Sequence, residues 1–194
     1  MSSAKQKHPI TITEYLSGEL ISAIKHEFVD GVVYSMAGAT ANHNRIATNA
    51  TVAIGSQLRG KHCQVFNSDM KVRVRLSRST RFYYPDASVV CIPNAGDEAF
   101  QDNPVVIVEV ISVSTRRVDE YEKREAYLTI NSLRVYVLLE SNAMSALVYR
   151  RSDAGFESEY YEGPEAVIPL PEIECNLSLA EAFEQVTFLP PDPE

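Results

Sequence analysis

The sequence predicts a central mixed β-sheet flanked by helices, of the α/β or α+β class, with an antiparallel addition at the C-terminus. Three stretches carry that prediction. Residues 105–111 (VVIVEVI) form a short apolar, β-branched run with a single charge, Glu109, the pattern of a strand covered on both faces. Helical spacing begins near Asp119, and a second apolar strand, residues 134–140 (RVYVLLE), follows. This makes a strand–helix–strand unit whose crossover should be right-handed. Residues 144–150 and 156–161 flank Asp153-Ala154-Gly155 and read as a trailing hairpin.

Taken in order, residues 1–10 read as a flexible N-terminus, 11–187 as one domain and 188–194 (LPPDPE at its end) as a disordered tail. Residues 11–17 (TITEYLS) suggest a short helix capped by Thr11 or Thr13 and stopped at Gly18. HEFV-DG-VVYSM is a hairpin signal, because Asp30-Gly31 supplies the positive φ values of a two-residue turn. Residues 40–59 read as a long helix with an apolar stripe of Ile46, Ala50, Ala53, Ile54 and Leu58. Two strands follow, CQVFN and MKVRVRL. The second alternates strictly, with Lys71, Arg73 and Arg75 on one face and Val72, Val74 and Leu76 on the other. SRSTRFY reads as a polar loop, ASVVCI as a strand and PNAGDEAFQDN as an exposed acidic loop. The helix after residue 111 is expected to run to Ile130, and residues 177–183 to make a closing helical turn.

A chain of 194 residues is long enough for one domain with a real core. Its net charge of −8 argues against duplex binding through a broad basic surface, though not against a local basic groove. Cys63, Cys91 and Cys175 are odd in number and widely spaced. They read as neither a disulfide framework nor a zinc knuckle, with Cys63 and Cys91 as small core residues in a reducing cytoplasm. No apolar run approaches a membrane span, so a soluble cytoplasmic protein is expected.

Asp86, at the start of one strand, and Glu109, inside the next, converge if those strands are neighbours. Two carboxylates meeting in a partly dry site suit an octahedral divalent cation, Mg²⁺ in particular. Such an ion polarises a phosphoryl oxygen and acidifies a bound water. Lys123 lies on one helix face with Asp119 and Tyr127, and can point back toward Glu109. Asp86, Glu109 and Lys123 therefore form a candidate hydrolytic trio. The alternative is a strand-end Asp, a buried Glu109–Lys123 salt bridge and no metal.

Pro85-Asp86 followed by Glu109-Val110-Ile111 resembles the PD-(D/E)XK signature of restriction-endonuclease-like proteins, with Ile111 where its lysine would stand. The wider pattern comprises KHEFVDG, a His in the next helix, NSDMKVRV, YYPDASVV and VVIVEVISVSTRRVDEYEKREAY. It resembles the Uma-type family, abundant in cyanobacteria and catalogued as candidate restriction endonucleases, from about Tyr15 to Phe183. The resemblance implies a restriction-endonuclease-like fold and a metal-dependent endonuclease, acting on DNA, with Mg²⁺ or Mn²⁺ as cofactor. Asp86, Glu109 and the Val110 carbonyl would hold the metal, Lys123 would replace the missing strand lysine and align the attacking water, and Glu27 would be a further acidic member. Enzymes of this fold that cut both strands often pair, so a homodimer is expected. The runner-up is a fold that no longer cuts and serves as a nucleic-acid-binding or interaction module; Ile111 and the net negative charge favour it.

Other residues carry two readings each. His43 is a satisfied core histidine or a contact to water or phosphate. Asp69 pairs with a neighbouring arginine or points into the site. Asp119 is a surface partner of Lys123 or Arg116, or takes part in the chemistry. Ser112, Ser114 and Thr115 are turn and cap residues, or offer backbone amides to a phosphate. Lys71, Arg73 and Arg75, with Arg78 and Arg81 beyond, form a solvated face or a groove for nucleic-acid phosphates. No base-reading motif is present.

Overall fold

Thr11 opens the first helix, α1 (Ile12–Glu19): its hydroxyl accepts the Glu14 N–H while the Glu14 carboxylate accepts the Thr11 N–H, a reciprocal capping box. Gly18 lies inside this helix rather than ending it. The computed structural model describes residues 9–36, 38–112 and 118–188, without the side chains of residues 118–120. The expected hairpin is β1 (His26–Val29) and β2 (Val32–Ser35), with Asp30 at φ 52° and Gly31 at φ 88°. Gly31 is needed twice over, because a Cβ there would stand 2.7 Å from that of Pro9. Ile10 donates its N–H to the Gly31 carbonyl. Pro9 and Ile10, expected to be loose, thus dock on the hairpin, while residues 1–8 lie outside the described residues.

Helix α2 (Ala41–Gln57) is capped by Thr40 and buries Ile46, Ala50 and Ile54, with Leu58 at its C-cap. The strands that follow divide between two sheets: β3 (Gln64–Asn67), β6 (Ala87–Val90) and β8 (Pro104–Ile111) lie in the sheet under α2, and β4 (Lys71–Arg75), β5 (Thr80–Tyr83) and β7 (Phe100–Gln101) in the other. Two of these were expected to be loop. β5 pairs with both β4 and β1, and its polar Thr80 and Arg81 hide it from a hydropathy reading. β7 is a two-residue parallel partner of β4 within the acidic loop. After β8, Val118–Lys123 forms a π-helical turn that runs into α3 (Arg124–Tyr127), so the helix ends before Ile130. β9 (Val135–Glu140) pairs parallel to β8, giving the expected strand–helix–strand unit. β10 (Ser145–Ser152) and β11 (Gly155–Glu162) form the expected C-terminal hairpin. Beyond it, β12 (Val167–Leu170) and β13 (Cys175–Ser178) make an unforeseen small hairpin, and α4 (Leu179–Ala182) closes the fold. Phe188, assigned to the tail, packs on Phe183 with ring centroids 5.9 Å apart; residues 189–194 lie outside the described residues.

Among the described residues, β11-β10-β9-β8-β6-β3 form a mixed sheet and β2-β1-β5-β4-β7 a second. The alternation of β8 divides the core. Val106, Val108 and Val110 face α2 and the C-terminal hairpin, whereas Ile107 and Ile111 face Tyr127, Leu133 and Tyr136. A third cluster of Tyr15, Phe28, Phe82 and Phe100 joins α1 to the second sheet. One cysteine expectation fails: Cys63 and Cys91 face each other across β3 and β6 and are joined by a disulfide, while Cys175 is free and buried. Their wide spacing hid the pairing because the strands supply the proximity. The cysteines therefore lend no support to a reducing compartment. Among the described residues no helix is long and apolar enough to cross a membrane.

Two measurements check this packing. Ile54→Ala removes a fully buried side chain from the α2–sheet contact and should cost about 2–5 kcal/mol in chemical denaturation. Arg150 bridges Glu159 and Glu172, each at 2.8 Å. The hydrogen bond from Arg150 holds the Glu159 carboxyl below its ordinary 4.5, outweighing the upward push of burial, and Tyr161 adds to the lowering. The folded pKa is depressed, so this stabilisation is complete above the unfolded value and is lost as pH falls through the folded one. Glu159→Gln should accordingly lose less stability than the wild type between pH 5 and pH 3 in urea titrations.

Candidate active site

The chain leaves the second sheet at Tyr83 and enters the first at Ala87, and the crossing is Tyr84-Pro85-Asp86. Proline ends the ladder because it has no N–H to give. The register Ala87↔Val108 sets Asp86 beside Glu109. Val110, two residues along β8 from the pair Ala87↔Val108, donates its N–H to the Asp86 Oδ2 at 2.7 Å, so a side chain takes the place of a backbone partner. The other oxygen, Oδ1, lies 2.9 Å from His43 Nε2, in the first turn of α2. The Asp86 N–H donates to Glu109 Oε2 at 3.4 Å. Asp86 is thereby oriented from both sides.

Glu109 is 3 % exposed. A carboxylate so placed must be paired or hydrogen-bonded. Lys123, a residue 7 % exposed, sets its Nζ 3.2 Å from Glu109 Oε1, and the Tyr127 hydroxyl donates to the same oxygen at 3.1 Å. Lys123 also reaches Glu27 Oε1 at 3.0 Å, and that oxygen accepts the Tyr84 N–H at 3.3 Å. Glu27 comes from β1, in the second sheet, so the lysine joins the two sheets. Burial, reinforced by the charges of Glu109 and Glu27, pushes the Tyr127 hydroxyl well above its ordinary pKa and keeps it a donor. Tyr83, whose ring lies 5.8 Å from Lys123 Nζ, is likewise raised chiefly by burial.

Asp86, Glu109, Lys123 and Glu27 therefore converge, and Ile111 stands in the strand-lysine position, buried among Tyr127, Tyr136 and Leu138. His43, which the sequence offers as a satisfied core histidine or a contact to water or phosphate, instead pairs with Asp86. Tyr127 was placed on the Lys123 face, which was the available signal, but was given no role. Val110 holds Asp86 through its N–H. Ser112 is half-buried beyond the end of β8. The Asp119 side chain, Ser114, Thr115 and Arg116 lie outside the described residues.

The basic stripe differs from its expectation. Lys71 is 5 % exposed, donates to the Tyr84 hydroxyl at 3.1 Å, and its pKa is lowered by burial against the pull of Glu19. Arg73 forks onto Asp102 with two bonds of 2.7 Å and lies over the Phe100 ring. Arg75 alone of the three presents an open guanidinium, its side chain 63 % exposed, with a 3.4 Å contact to the same Asp102. The acidic loop supplies the neutralising charge, so this face is not a continuous phosphate track. Asp69 pairs with Lys25, not with an arginine, and its side chain is 73 % exposed. Shallow concavities of about 340 and 220 Å³ lie against Thr51–Met70 side chains and against α1, and none of the four converging residues lines either.

Comparison with known proteins agrees with this architecture. A solved structure from Anabaena variabilis ATCC 29413, described as "a putative nuclease belonging to DUF820", superposes with a TM-score of 0.73. It is 19% identical and covers 92% of this chain and 100% of that one, a likeness that shows the shared restriction-endonuclease-like fold. Two uncharacterized proteins of Synechocystis sp. are similar in sequence. The protein slr1290 is 32% identical over 143 residues, covering 73% of this chain and 74% of that protein. The protein sll1609 is 33% identical over 138 residues, covering 68% and 75%. A family model, Uma2, described as "Putative restriction endonuclease", matches residues 12–182. With nearly the whole folded chain matched, and its strands, hairpins and acidic cluster arranged as above, the protein belongs to the Uma2 family.

Proposed function

We propose that the protein is a Mg²⁺-dependent endonuclease of the PD-(D/E)XK kind that hydrolyses phosphodiester bonds in DNA. The observation that carries this reading is the meeting of Asp86 and Glu109 beside a buried Lys123. The donors fit the ion: all are oxygens, and Asp86 Oδ1, Asp86 Oδ2 and Glu109 Oε2 each carry one described bond, whereas Glu109 Oε1 accepts two, from Lys123 and Tyr127. Asp86 and Glu109 would hold the cation, with the Val110 carbonyl as a third donor; Mn²⁺ has the same ligand preference. When bound, the ion polarises the phosphoryl oxygen and acidifies the attacking water.

The chain's own groups do the rest. His43 and the Val110 N–H fix the direction of the Asp86 carboxylate. Lys123, steadied by Glu27 and Glu109, donates to the incoming water and offsets the negative charge that grows on the phosphorane-like transition state. Glu27 holds the ammonium in place and is positioned to support a second cation. Arg75 is the open contact for a backbone phosphate. Cutting both strands calls for two such sites, hence a pair of chains. Lys123 brings an amine to Glu109 from the helix where the strand position holds Ile111, which supports this reading over a fold that no longer cuts.

Supercoiled plasmid should be nicked by the full chain with Mg²⁺ and not after chelation. Asp86→Asn and Glu109→Gln should lower the rate by roughly a hundredfold or more. Nicking at the wild-type rate in Asp86→Asn, or tight DNA binding with no cleavage under any metal, overturns the reading. Lys123→Met leaves Glu109 buried without its cation and should destabilise the fold by about 3–5 kcal/mol in denaturant titrations.

A further inference from the structure

The rim where β3 begins and β6 ends carries a group the nuclease chemistry does not use. Cys63 precedes β3 and Cys91 follows β6, one step beyond the pair Gln64↔Val90, so the two face each other directly. His62 sits beside them, its Nε2 3.4 Å from Cys63 Sγ, and the three donor atoms lie within 4.8 Å of one another. We propose that this is a redox-gated soft-metal site: a disulfide when oxidised, and a Cys63–Cys91–His62 site for Zn²⁺ when reduced.

Two thiolates and an imidazole are the ligands a tetrahedral zinc ion takes, with water in the fourth position. Bond lengths of that kind set sulfur and nitrogen about 3.6 Å apart, and two sulfurs about 3.8 Å apart. The histidine already stands at nearly that distance from Cys63. The two α-carbons are 3.9 Å apart. Side chains running parallel from such anchors bring unbonded sulfurs to about the required separation, so the change needs side-chain rotation and no movement of the strands. His62 is exposed and Cys91 half-buried, which leaves the site open to solvent ions and to a reductant.

The chemistry balances with a dithiol as the reductant. One of its thiolates attacks a sulfur of the disulfide and the S–S bond breaks, leaving a mixed disulfide and a protein thiolate. Its second thiol then displaces the other cysteine sulfur, and the dithiol leaves as its own disulfide. Two electrons and two protons reach the protein, and both protons are released when the thiols ligate the metal.

The consequence inside the fold is local. β3 is the outer strand of the sheet whose next strand, β6, leads back to Asp86. It also packs under α2, with Gly55 so close to Val65 that an added Cβ would stand 2.9 Å from it. α2 is the helix that carries His43. Both forms of the site hold β3 to β6, so the edge stays closed in either redox state.

The test uses the full chain and Co²⁺ as the probe, with and without prior reduction by a dithiol. The reduced chain should take up one Co²⁺ with a thiolate-to-cobalt charge-transfer band and the visible bands of a tetrahedral site; the oxidised chain should show neither. Zn²⁺ should displace the cobalt and bleach both. His62→Ala, a surface change that leaves the fold intact, should weaken uptake roughly tenfold or more and alter the visible bands. Cys63→Ser/Cys91→Ser should abolish the charge-transfer band, whereas Cys175→Ser should keep it. A reduced chain without that band, an equal band in the oxidised chain, or an unchanged spectrum and affinity in His62→Ala overturns the proposal, the last even if the double variant fails to fold.

Discussion

The contact between Lys123 and Glu109 constrains everything around it. Removing two opposite charges from water costs several kcal/mol per ion, and their attraction repays this only with good geometry and further hydrogen bonds. Here the further bonds are present. Tyr127 gives a hydroxyl, the Asp86 backbone gives an N–H, and Glu27 takes a second share of the ammonium. A merely structural core would be at least as stable with hydrophobic groups of similar volume in these places. The chain instead carries three carboxylates and an amine into a nearly dry pocket, the pre-set charge on which the proposed hydrolysis would draw.

The two sheets meet at this point, and the meeting follows from one proline. Pro85 ends the pairing of β5 and lets the next residues join the other sheet, so that Asp86 emerges at the seam. Glu27 approaches from one sheet and Glu109 from the other. The α2 helix contributes His43 because Thr40 caps it at the right place, which sets the first turn against Asp86. No single element contains the site. The site records how several elements pack.

Much of this was readable in the sequence. The hairpin at Asp30-Gly31, the doubly covered strand around Glu109 and the strand–helix–strand unit follow from local periodicity and turn chemistry, and the structure has all three. The convergence of Asp86, Glu109 and Lys123 was legible as a candidate trio, with spacing alone leaving a metal-free Glu109–Lys123 salt bridge open and the family resemblance pointing to Lys123. What local patterns could not reveal depended on partners distant in the chain. Asp102 neutralises Arg73 from the acidic loop, turning an apparent phosphate groove into an internal fork. Cys63 and Cys91 become neighbours only once β3 pairs with β6. β5 reads as loop because its polar residues are satisfied by β1 and by Asp30, not by sequence neighbours. Lys71 looks solvated until Tyr84 covers it.

The π-helical turn Val118–Lys123 bears on how this family can vary. Such a turn is an α-helical turn with one residue too many, and π-bulges of this kind are frequent at functional sites. Each residue of an α-helix advances the side-chain direction by roughly 100°. Loss of one residue from the turn ahead of Lys123, with the sequence otherwise untouched, would keep Lys123 and Tyr127 on one face but rotate that face by about 100° relative to the end of β8, away from Glu109. Spacing before the lysine is therefore constrained as tightly as the lysine itself.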